Sequence, residues 1–272
     1  MKFSVVIPVY KNEISSYFNE SLSSILCRQS LKPNEVIIIA DGPLNEELYS
    51  VISTYELRYP DLIKSVYLEE NMGMGYAMNV GLNCAKYDWI VRMDSDDIAV
   101  ENRFEKQIKF LNENQEIDVL GSNIEEFLIR PGDYNHFRKL PSTHLDIIRK
   151  MKTRSPFNHM TVIFRKTLAQ KAGGYWSLKY YEDYNLWYQM YKRGGTFANL
   201  SESLVHARVG NNMVARRKGN EYLRCEKVLY QQLLRDNFIT KMEYILILNL
   251  KRILRSLPEK VLERVYRLFL RS

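Results

Sequence analysis

Short apolar stretches alternate with longer amphipathic stretches through the first hundred residues of the chain. The short stretches are rich in Val, Ile and aromatic residues, which is typical of buried strands. The longer ones repeat apolar positions every three or four residues, as helices do. Strands are predicted over 3–9, 35–40, 63–68 and 89–93, and helices over 14–28, 46–58, 75–85 and 100–114. This alternation predicts an α/β fold with a mostly parallel central sheet and helices on both faces.

The pattern is less regular after residue 115. The sequence there predicts a strand over 119–129, a polar loop over 130–144, a strand over 161–164 and a helix over 181–192. A polar, glycine-bearing loop over 209–221 precedes a helical tail. We therefore predict one domain over 1–221, with halves 1–115 and 116–221, and a separate tail over 222–272.

Polar residues stand where the predicted strands of the first half end. The four strand ends lead into Pro8–Tyr10, Asp41-Gly42, Asn71–Gly73 and Asp94–Asp97. Ligands of parallel α/β sheets bind beyond the carboxyl ends of the strands. The four segments are therefore predicted to converge on one edge of the sheet.

The segment Asp94-Ser95-Asp96-Asp97 carries three carboxylates within four residues. Carboxylates this close repel one another unless a cation lies between them. Mg²⁺ and Mn²⁺ prefer oxygen ligands and keep open positions for substrate phosphates. The cluster is therefore a candidate divalent-cation site, the alternative being a solvated acidic turn.

Charge and composition narrow the class of protein. The 272 residues carry a formal net charge of +7, and residues 222–272 contain eleven Lys or Arg against five acids, so the basic excess lies in the tail. This distribution argues against a nucleic-acid surface on the body. Three dispersed cysteines fit a reducing compartment, and we find neither a signal peptide nor an apolar run of the roughly 20 residues that span a bilayer. A cytoplasmic protein is expected.

Together the motifs resemble family 2 glycosyltransferases, which have the GT-A fold. The resemblance covers about residues 3–210. It rests on these motifs: Ser4–Tyr10 with Asn12, the turn Ile39–Gly42, Asn71-x-Gly73-x-Gly75 through Asn79-x-Gly81, the Asp94–Asp97 cluster, and Tyr181-Glu182-Asp183-Tyr184. The resemblance assigns the 1–115 half to a nucleotide sugar and the 116–221 half to the acceptor.

The resemblance also implies roles for individual residues on the donor side. The UDP-sugar would contact Pro8, Tyr10, Asn12, Asp41, Asn71, Gly73, Asn79, Asp94, Ser95 and Arg103. Met78 stands where the family usually has an Arg, so Arg103 or Arg92 would supply charge toward the diphosphate. A Mn²⁺ or Mg²⁺ ion would bind Asp96 and Asp94, with His206 as a further ligand and Arg208 near the diphosphate.

On the acceptor side, an inverting transfer needs a carboxylate that takes the proton of the acceptor hydroxyl. By resemblance this base is Asp183, with Glu182 holding the acceptor. By the same resemblance the acceptor would also contact Asp97 and His159. It would contact Trp187 and Tyr181 as well, whose aromatic faces are suited to stacking on sugar rings. Asp183 and Glu182 also suit the first turn of any helix, where acids complement the dipole.

Two further segments carry predictions. Arg216-Arg217-Lys218 in the 209–221 loop would close over the donor as a lid. In the tail, Ser256–Glu259 predicts a helix start, after which apolar residues from 261 to 269 face away from Lys260, Arg264, Arg267 and Arg271. Such a helix either contacts an anionic membrane or docks on the body.

The sequence is therefore interpreted as a metal-dependent inverting hexosyltransferase. It would move a hexose, glucose or galactose, from a UDP-sugar to a sugar on a polyprenyl diphosphate, in O-antigen or capsule assembly at the inner face of the cytoplasmic membrane. A homodimer is left open. The alternatives are a nucleotidyltransferase, which normally has a glycine-rich basic first loop, and a sugar-nucleotide-binding protein without catalysis.

Overall fold

Strands and helices alternate along most of the chain in the computed structural model, which describes residues 1–210 and 219–257. The strands are β1 (Phe3–Val9), β2 (Glu35–Ala40), β3 (Ile63–Tyr67), β4 (Trp89–Arg92), β5 (Ile98–Ala99), β6 (Val119–Phe127), β7 (His136–Arg138), β8 (Ile163–Arg165) and β9 (Phe197–Arg208). The helices are α1 (Ser15–Leu26), α2 (Glu46–Arg58), α3 (Met74–Cys84), α4 (Arg103–Glu113), α5 (His144–Met151), α6 (Lys166–Lys171), α7 (Glu182–Lys192), α8 (Asn220–Arg235) and α9 (Lys241–Ser256). A short 3-10 helix lies at His159–Thr161.

The strands form one sheet in the order β3-β2-β1-β4-β8-β6-β9-β5, with β7 paired to β6. The first four strands are parallel, and this confirms the parallel sheet predicted from the first hundred residues. β8 runs antiparallel to both of its neighbours, β6 and β9 are parallel, and β5 is antiparallel to β9. Nearly every residue of β1 and β2 is buried, as expected for strands covered on both faces.

The first half of the chain follows its sequence pattern closely, whereas the second half does not. The predicted 130–144 loop contains β7, and α5 starts at its last residue. The long strand β9 was not predicted, because its middle carries Ser, Glu and Ser and is exposed, so it lacks a continuous apolar signal. Its register against β6 is also irregular around Asn123.

Two hydrophobic clusters cover the two faces of the sheet. Val6 and Ile37 belong to one cluster, whereas Val5 and Ile38 belong to the other, because side chains alternate across a strand. α3 lies directly on β1, since a Cβ at Gly81 would come within 2.4 Å of a Val6 methyl group.

Helix α8 shares a core with the rest of the molecule. Its residues Tyr222, Leu229, Tyr230 and Leu233 belong to the same hydrophobic cluster as Trp187. The predicted boundary at residue 221 stays a prediction, but α8 packs as part of the body. The predicted lid residues 216–218 and the apolar stripe from 261 to 269 lie outside the described residues. Across 1–210 and 219–257, we find no helix long and apolar enough to cross a bilayer.

Candidate active site

A cavity of about 1310 Å³ opens where β1, β2 and β4 end. We call the lining residues 8, 10, 12–14, 41, 71–76, 79, 92 and 94–96 the strand-end wall, and the lining residues 159, 175–177, 179, 180, 182, 183 and 222 the loop wall. The structure brings most of the predicted site residues together here. Those that line the cavity are Pro8, Tyr10, Asn12, Asp41, Asn71, Gly73, Asn79, Asp94, Ser95, Asp96, His159, Glu182 and Asp183.

Asp41 organises one part of the strand-end wall. Its two carboxylate oxygens accept the backbone N–H groups of Met72 and Gly73 at 2.8 and 3.0 Å, and Asn71 donates its side-chain amide to the Asp41 carbonyl at 3.1 Å. Gly42 has φ of +83°, and a Cβ there would lie 2.6 Å from the Asn71 nitrogen. Burial raises the pKa of Asp41, and the two N–H groups offset part of that rise. The Asp-Gly turn thus holds the 71–73 loop at the cavity.

The acidic cluster lies at the end of β4. One oxygen each from Asp94, Asp96 and Asp97 fall within 4.8 Å of one another. Burial, followed by the charges of Asp94 and Glu13, raises the pKa of Asp96 to about 7. Burial and the neighbouring carboxylates hold the pKa of Asp97 well above its usual range.

These carboxylates fit a divalent metal ion. The donor set consists of oxygen, which hard cations such as Mg²⁺ and Mn²⁺ prefer. One carboxylate oxygen of Asp97 is buried without a hydrogen-bond partner, while the other accepts the backbone N–H of Arg208 at 2.8 Å. The repulsion among the three carboxylates is relieved when a cation lies between them.

Asp97 itself is 2% exposed and does not line the cavity, so the prediction that it contacts the acceptor is corrected. A buried carboxylate behind Asp94 and Asp96 can complete a metal site from within. It cannot touch a sugar in this structure, because the backbone of Arg208 and the rest of the cluster enclose it.

Arg208 supports the cluster from behind rather than reaching into the cavity. Its side chain is 3% exposed, and its guanidinium donates to the Asp96 carbonyl at 3.1 Å and to Glu20 at 2.6 Å. It lies over the rings of Tyr17 and Phe127, at 3.7 and 4.5 Å from their centroids. It positions the acidic loop through the backbone and does not contact the cavity.

Arg103 and His206 do not occupy the places predicted for them. Arg103 is fully buried and donates to the carbonyl of Arg92 at 2.8 Å, because α4 places it under β4. Arg92 lines the cavity instead and forms an ion pair with Asp94. On β9, Nδ1 of His206 lies 2.7 Å from a carboxylate oxygen of Glu125 on β6. His206 is therefore not part of the group formed by Asp94, Asp96 and Asp97. Both predictions are corrected, and Arg92 is the cation of the strand-end wall.

Glu182 and Asp183 lie in the first turn of α7, on the loop wall. Burial is the main cause that raises the pKa of both carboxyl groups, and the pKa of Glu182 reaches about 7. α3 approaches them closely, since a Cβ at Gly75 would lie 2.7 Å from the Trp176 carbonyl and 3.0 Å from Cγ of Glu182. A side chain at position 75 would collide with these atoms, which explains why the motif has a glycine there.

Asn79 joins the two walls. Its side-chain amide donates to the Tyr175 carbonyl at 2.8 Å, and its oxygen accepts the Tyr175 N–H at 2.7 Å. The Tyr175 hydroxyl in turn lies 3.1 Å from Nε2 of His159. Burial drives the pKa of His159 well below its usual value, so the ring is neutral. Asn79 and His159 line the cavity, but their polar atoms form hydrogen bonds that position Tyr175.

Trp187 and Tyr181 are core residues, which corrects their predicted contact with the acceptor. Trp187 is fully buried, with its ring 5.4 Å from that of Phe157 and 5.5 Å from that of Phe164. Tyr181 is 5% exposed and packs toward α8, 5.4 Å from the ring of Tyr222. An aromatic stripe on a helix signals burial and stacking alike, so the sequence alone did not distinguish them.

Aromatic side chains line both walls of the cavity. Tyr10 and Tyr76 belong to the strand-end wall, and Tyr175, Trp176, Tyr180 and Tyr222 belong to the loop wall. Glu13 and Lys179 also line the cavity but were not predicted. Glu13 lies four residues after the end of β1 and accepts a hydrogen bond from the Ser95 hydroxyl at 2.5 Å, so its position next to Asn12 was the only signal in the sequence. Tyr222 had none, since it is far away in sequence.

Comparison with known proteins agrees with this geometry. The family described as "Glycosyl transferase family 2" matches residues 4–170. The chain is 37% identical to the UDP-Gal:alpha-D-GlcNAc-diphosphoundecaprenol beta-1,3-galactosyltransferase of Escherichia coli over 270 residues, which are 99% of this chain and 97% of that one. It is 36% identical to the amylovoran biosynthesis glycosyltransferase AmsE of Erwinia amylovora, covering 97% of both chains.

Among solved structures, that of S. aureus TarS 1-349 in complex with UDP-GlcNAc is similar, with a TM-score of 0.69. The match covers 98% of this chain and 73% of that one at 23% identity, and it supports the fold. The GT-A fold predicted from the motifs is thereby confirmed.

Proposed function

The chain belongs to glycosyl transferase family 2 and is a hexosyltransferase, and we propose that it transfers glucose or galactose from a UDP-sugar to a sugar on a polyprenyl diphosphate. One observation carries the proposal. A single cavity presents carboxylates suited to a metal ion on the strand-end wall and a half-buried carboxylate pair on the loop wall. The name of the E. coli relative, which specifies a UDP-sugar and a diphosphoundecaprenol-linked sugar, supports both substrates. The name of the amylovoran biosynthesis enzyme supports a place in polysaccharide assembly.

The strand-end wall would hold the UDP-sugar. Asp41 keeps the 71–73 loop in place, and Pro8, Tyr10 and Asn12 line the same side, where the base and ribose would lie. The sugar and diphosphate would then lie toward Asp94 and Ser95. Because this wall carries four carboxylates, Glu13, Asp41, Asp94 and Asp96, against one Arg, an anionic donor needs added positive charge.

That charge would come from Mn²⁺ or Mg²⁺ held by Asp96 and Asp94, with Asp97 behind them. When bound, the ion supplies charge that stabilises the departing diphosphate. Arg208 and Ser21 would keep the ligand loop rigid, since they bond the backbone carbonyls of Asp96 and Asp94.

Asp183 would act as the base. The acceptor hydroxyl oxygen bonds to the anomeric carbon as the bond from that carbon to the diphosphate oxygen breaks, and the hydroxyl proton passes to the Asp183 carboxylate. Attack from the face opposite the leaving group inverts the anomeric configuration, so an α-linked donor yields a β-linkage. Burial raises the pKa of Asp183, which makes its carboxylate a stronger proton acceptor. Glu182 would orient the acceptor.

A membrane surface would be contacted through α9. Tyr244, Ile247 and Leu248 face the core, whereas the opposite face exposes five apolar side chains that are each 48–72% accessible: Met242, Ile245, Leu246, Leu250 and Ile253. Such a stripe on a helix within the basic 222–272 segment suits an anionic bilayer. A lipid-linked acceptor requires the enzyme at that surface, which here would be the cytoplasmic face.

The transferase proposal is tested with a synthetic sugar-diphospho-alkyl acceptor and a panel of UDP-sugars, with and without Mn²⁺ or Mg²⁺. We expect one UDP-hexose to give a β-linked disaccharide and stoichiometric UDP, which mass spectrometry and NMR detect. If the protein releases pyrophosphate when it is given a nucleoside triphosphate and a sugar phosphate as substrates, it is a nucleotidyltransferase instead. Binding of UDP-sugar without product from any acceptor would indicate a non-catalytic protein.

The membrane contact is tested by co-sedimentation with vesicles that contain anionic phospholipid. We expect Leu246→Glu with Leu250→Glu to lower the bound fraction severalfold. The matched control Leu57→Glu changes an exposed leucine on α2 and leaves binding unchanged. If the double variant instead converts a dimer to a monomer and vesicle binding is unaffected, α9 covers a second copy rather than a bilayer.

A further inference from the structure

The cavity contains a second cationic position that the donor site does not use. Among described residues that line it, the side chains bearing full positive charge are Arg92 and Lys179. The Arg92 side chain is 5% exposed and forms an ion pair with Asp94, so Asp94 on the strand-end wall balances its charge. Lys179 on the loop wall is 59% exposed. A solvent-accessible ammonium is therefore available on the side of Asp183.

The position of Lys179 ties it to the acceptor side. It precedes α7 by three residues, and its charge acts to lower the pKa of Glu182 against the larger effect of burial. Its ammonium lies 3.3 Å from a carboxylate oxygen of Glu221 and 5.0 Å from the ring of Tyr180. Tyr180 lines the cavity, and Glu221 directly precedes Tyr222, which lines it as well.

The backbone around Lys179 is held in an unusual conformation. Tyr180 has φ of +72°, a region that bulky residues rarely adopt and that persists where surrounding contacts impose it. Here the contacts come from α8, because the Tyr180 ring lies 4.8 Å from the Tyr222 ring and its hydroxyl 3.4 Å from Glu221. Lys179 is thus anchored beside the cavity although its ammonium is exposed.

We propose that Lys179 binds the diphosphate of the lipid-linked acceptor. The proposal rests on the function proposed above, in which the acceptor hydroxyl lies at Asp183. The acceptor's own diphosphate is then one sugar ring away, and a flexible ammonium with three donors suits phosphate oxygens. The ion pair with Glu221 is exposed and weak, so a diphosphate can replace Glu221 as the partner. The residue would select diphosphate-linked acceptors over neutral glycosides.

The test compares two acceptors that share one sugar and one alkyl chain, joined by a diphosphate in the first and by a neutral glycosidic bond in the second. For Lys179→Ala we expect KM for the diphosphate acceptor to rise about tenfold. KM for the UDP-sugar and kcat would stay within about twofold, as would KM for the neutral acceptor. Lys179→Arg should recover most of the loss, and the control Lys109→Ala, on the exposed face of α4, should behave as wild type.

Glu221→Gln sharpens the result, because removing the competing carboxylate should lower KM for the diphosphate acceptor about twofold to threefold. Equal losses with both acceptors would overturn the proposal and indicate a structural role. A rise in KM for the UDP-sugar alone would assign Lys179 to the donor's diphosphate instead.

If wild type transfers to neither acceptor, the proposed function fails while the Lys179 site remains testable. Titration of the protein with dodecyl diphosphate then decides, because weaker binding by Lys179→Ala than by wild type supports the site and equal binding overturns it.

Discussion

The two walls of the cavity are built in different ways. The strand-end wall consists of residues at or just after the ends of β1, β2 and β4, which neighbouring strands hold in register, and of the segment that leads from β3 into α3. The loop wall consists of an irregular segment before α7, fixed by side chains such as Asn79 and by aromatic contacts with α8. The hydrogen-bonded sheet sets the geometry of the strand-end wall, whereas a few tertiary contacts set that of the loop wall.

The walls also differ in charge. The strand-end wall carries four carboxylates around one committed arginine, whereas the loop wall combines Glu182 and Asp183 with an exposed lysine and a neutral histidine. The strand-end wall suits a metal ion and a nucleotide diphosphate. The loop wall can vary with the acceptor without disturbing the sheet, so acceptor specificity is expected to reside there.

The sharpest test of the division between the walls is Asp183→Asn. We expect kcat to fall about a thousandfold, because the amide cannot take a proton, while UDP affinity measured by calorimetry changes less than twofold. Asp61→Asn, on an exposed turn, is the matched control. A variant that keeps near wild-type kcat would remove Asp183 from the chemistry.

On the strand-end wall, Asp96→Asn should raise the Mn²⁺ concentration for half-maximal activity by roughly a hundredfold. UDP-sugar binding should weaken in parallel, since donor and metal share the wall. Metal titration of activity and of donor binding measures both. Chelation of the wild type should abolish transfer, and full activity in the presence of excess chelator would contradict metal dependence.

Acidification should act through the loop wall. The base works as a carboxylate, so kcat is full above its pKa and falls as pH drops through it, by about tenfold per pH unit at the limit. Burial raises the pKa of Glu182 to about 7, so this acceptor-orienting group gains its proton first, near neutral pH. Burial also raises the pKa of Asp183, so the base loses its carboxylate form at a higher pH than an ordinary aspartate does. A kcat profile at saturating metal and substrates that is flat from pH 8 to 5 would contradict this prediction.

The smallest effect is expected at the junction of the walls. Asn79→Ala removes both hydrogen bonds to Tyr175, which should lower kcat/KM about tenfold and the free energy of unfolding by about 1–2 kcal/mol. Asn83→Ala on the same helix is the control. Unchanged kcat/KM with lowered stability would show that Asn79 is structural only.

Sequence reasoning succeeded where local pattern and three-dimensional position coincide. The strands of the first half and the residues that follow them were predicted because a parallel sheet brings its strand ends to one edge. It was wrong for Arg103, His206, Trp187, Tyr181 and Asp97. Asp97, Arg103, Tyr181 and Trp187 lie close to a motif in sequence, but their side chains are buried. His206 instead pairs with Glu125 of the neighbouring strand β6.

The sequence by itself determined the α/β fold, the family, the acidic cluster and the carboxylate pair, because short-range periodicity and motif order encode them. Only the tertiary structure decided which cation faces the cavity, Arg92 or Arg103, and which aromatic residues line it. It also paired Asn79 with Tyr175 and placed Lys179 beside Glu221 and Tyr180 at the rim. These contacts join segments far apart in the chain, and side-chain direction at such junctions depends on packing that no local pattern specifies.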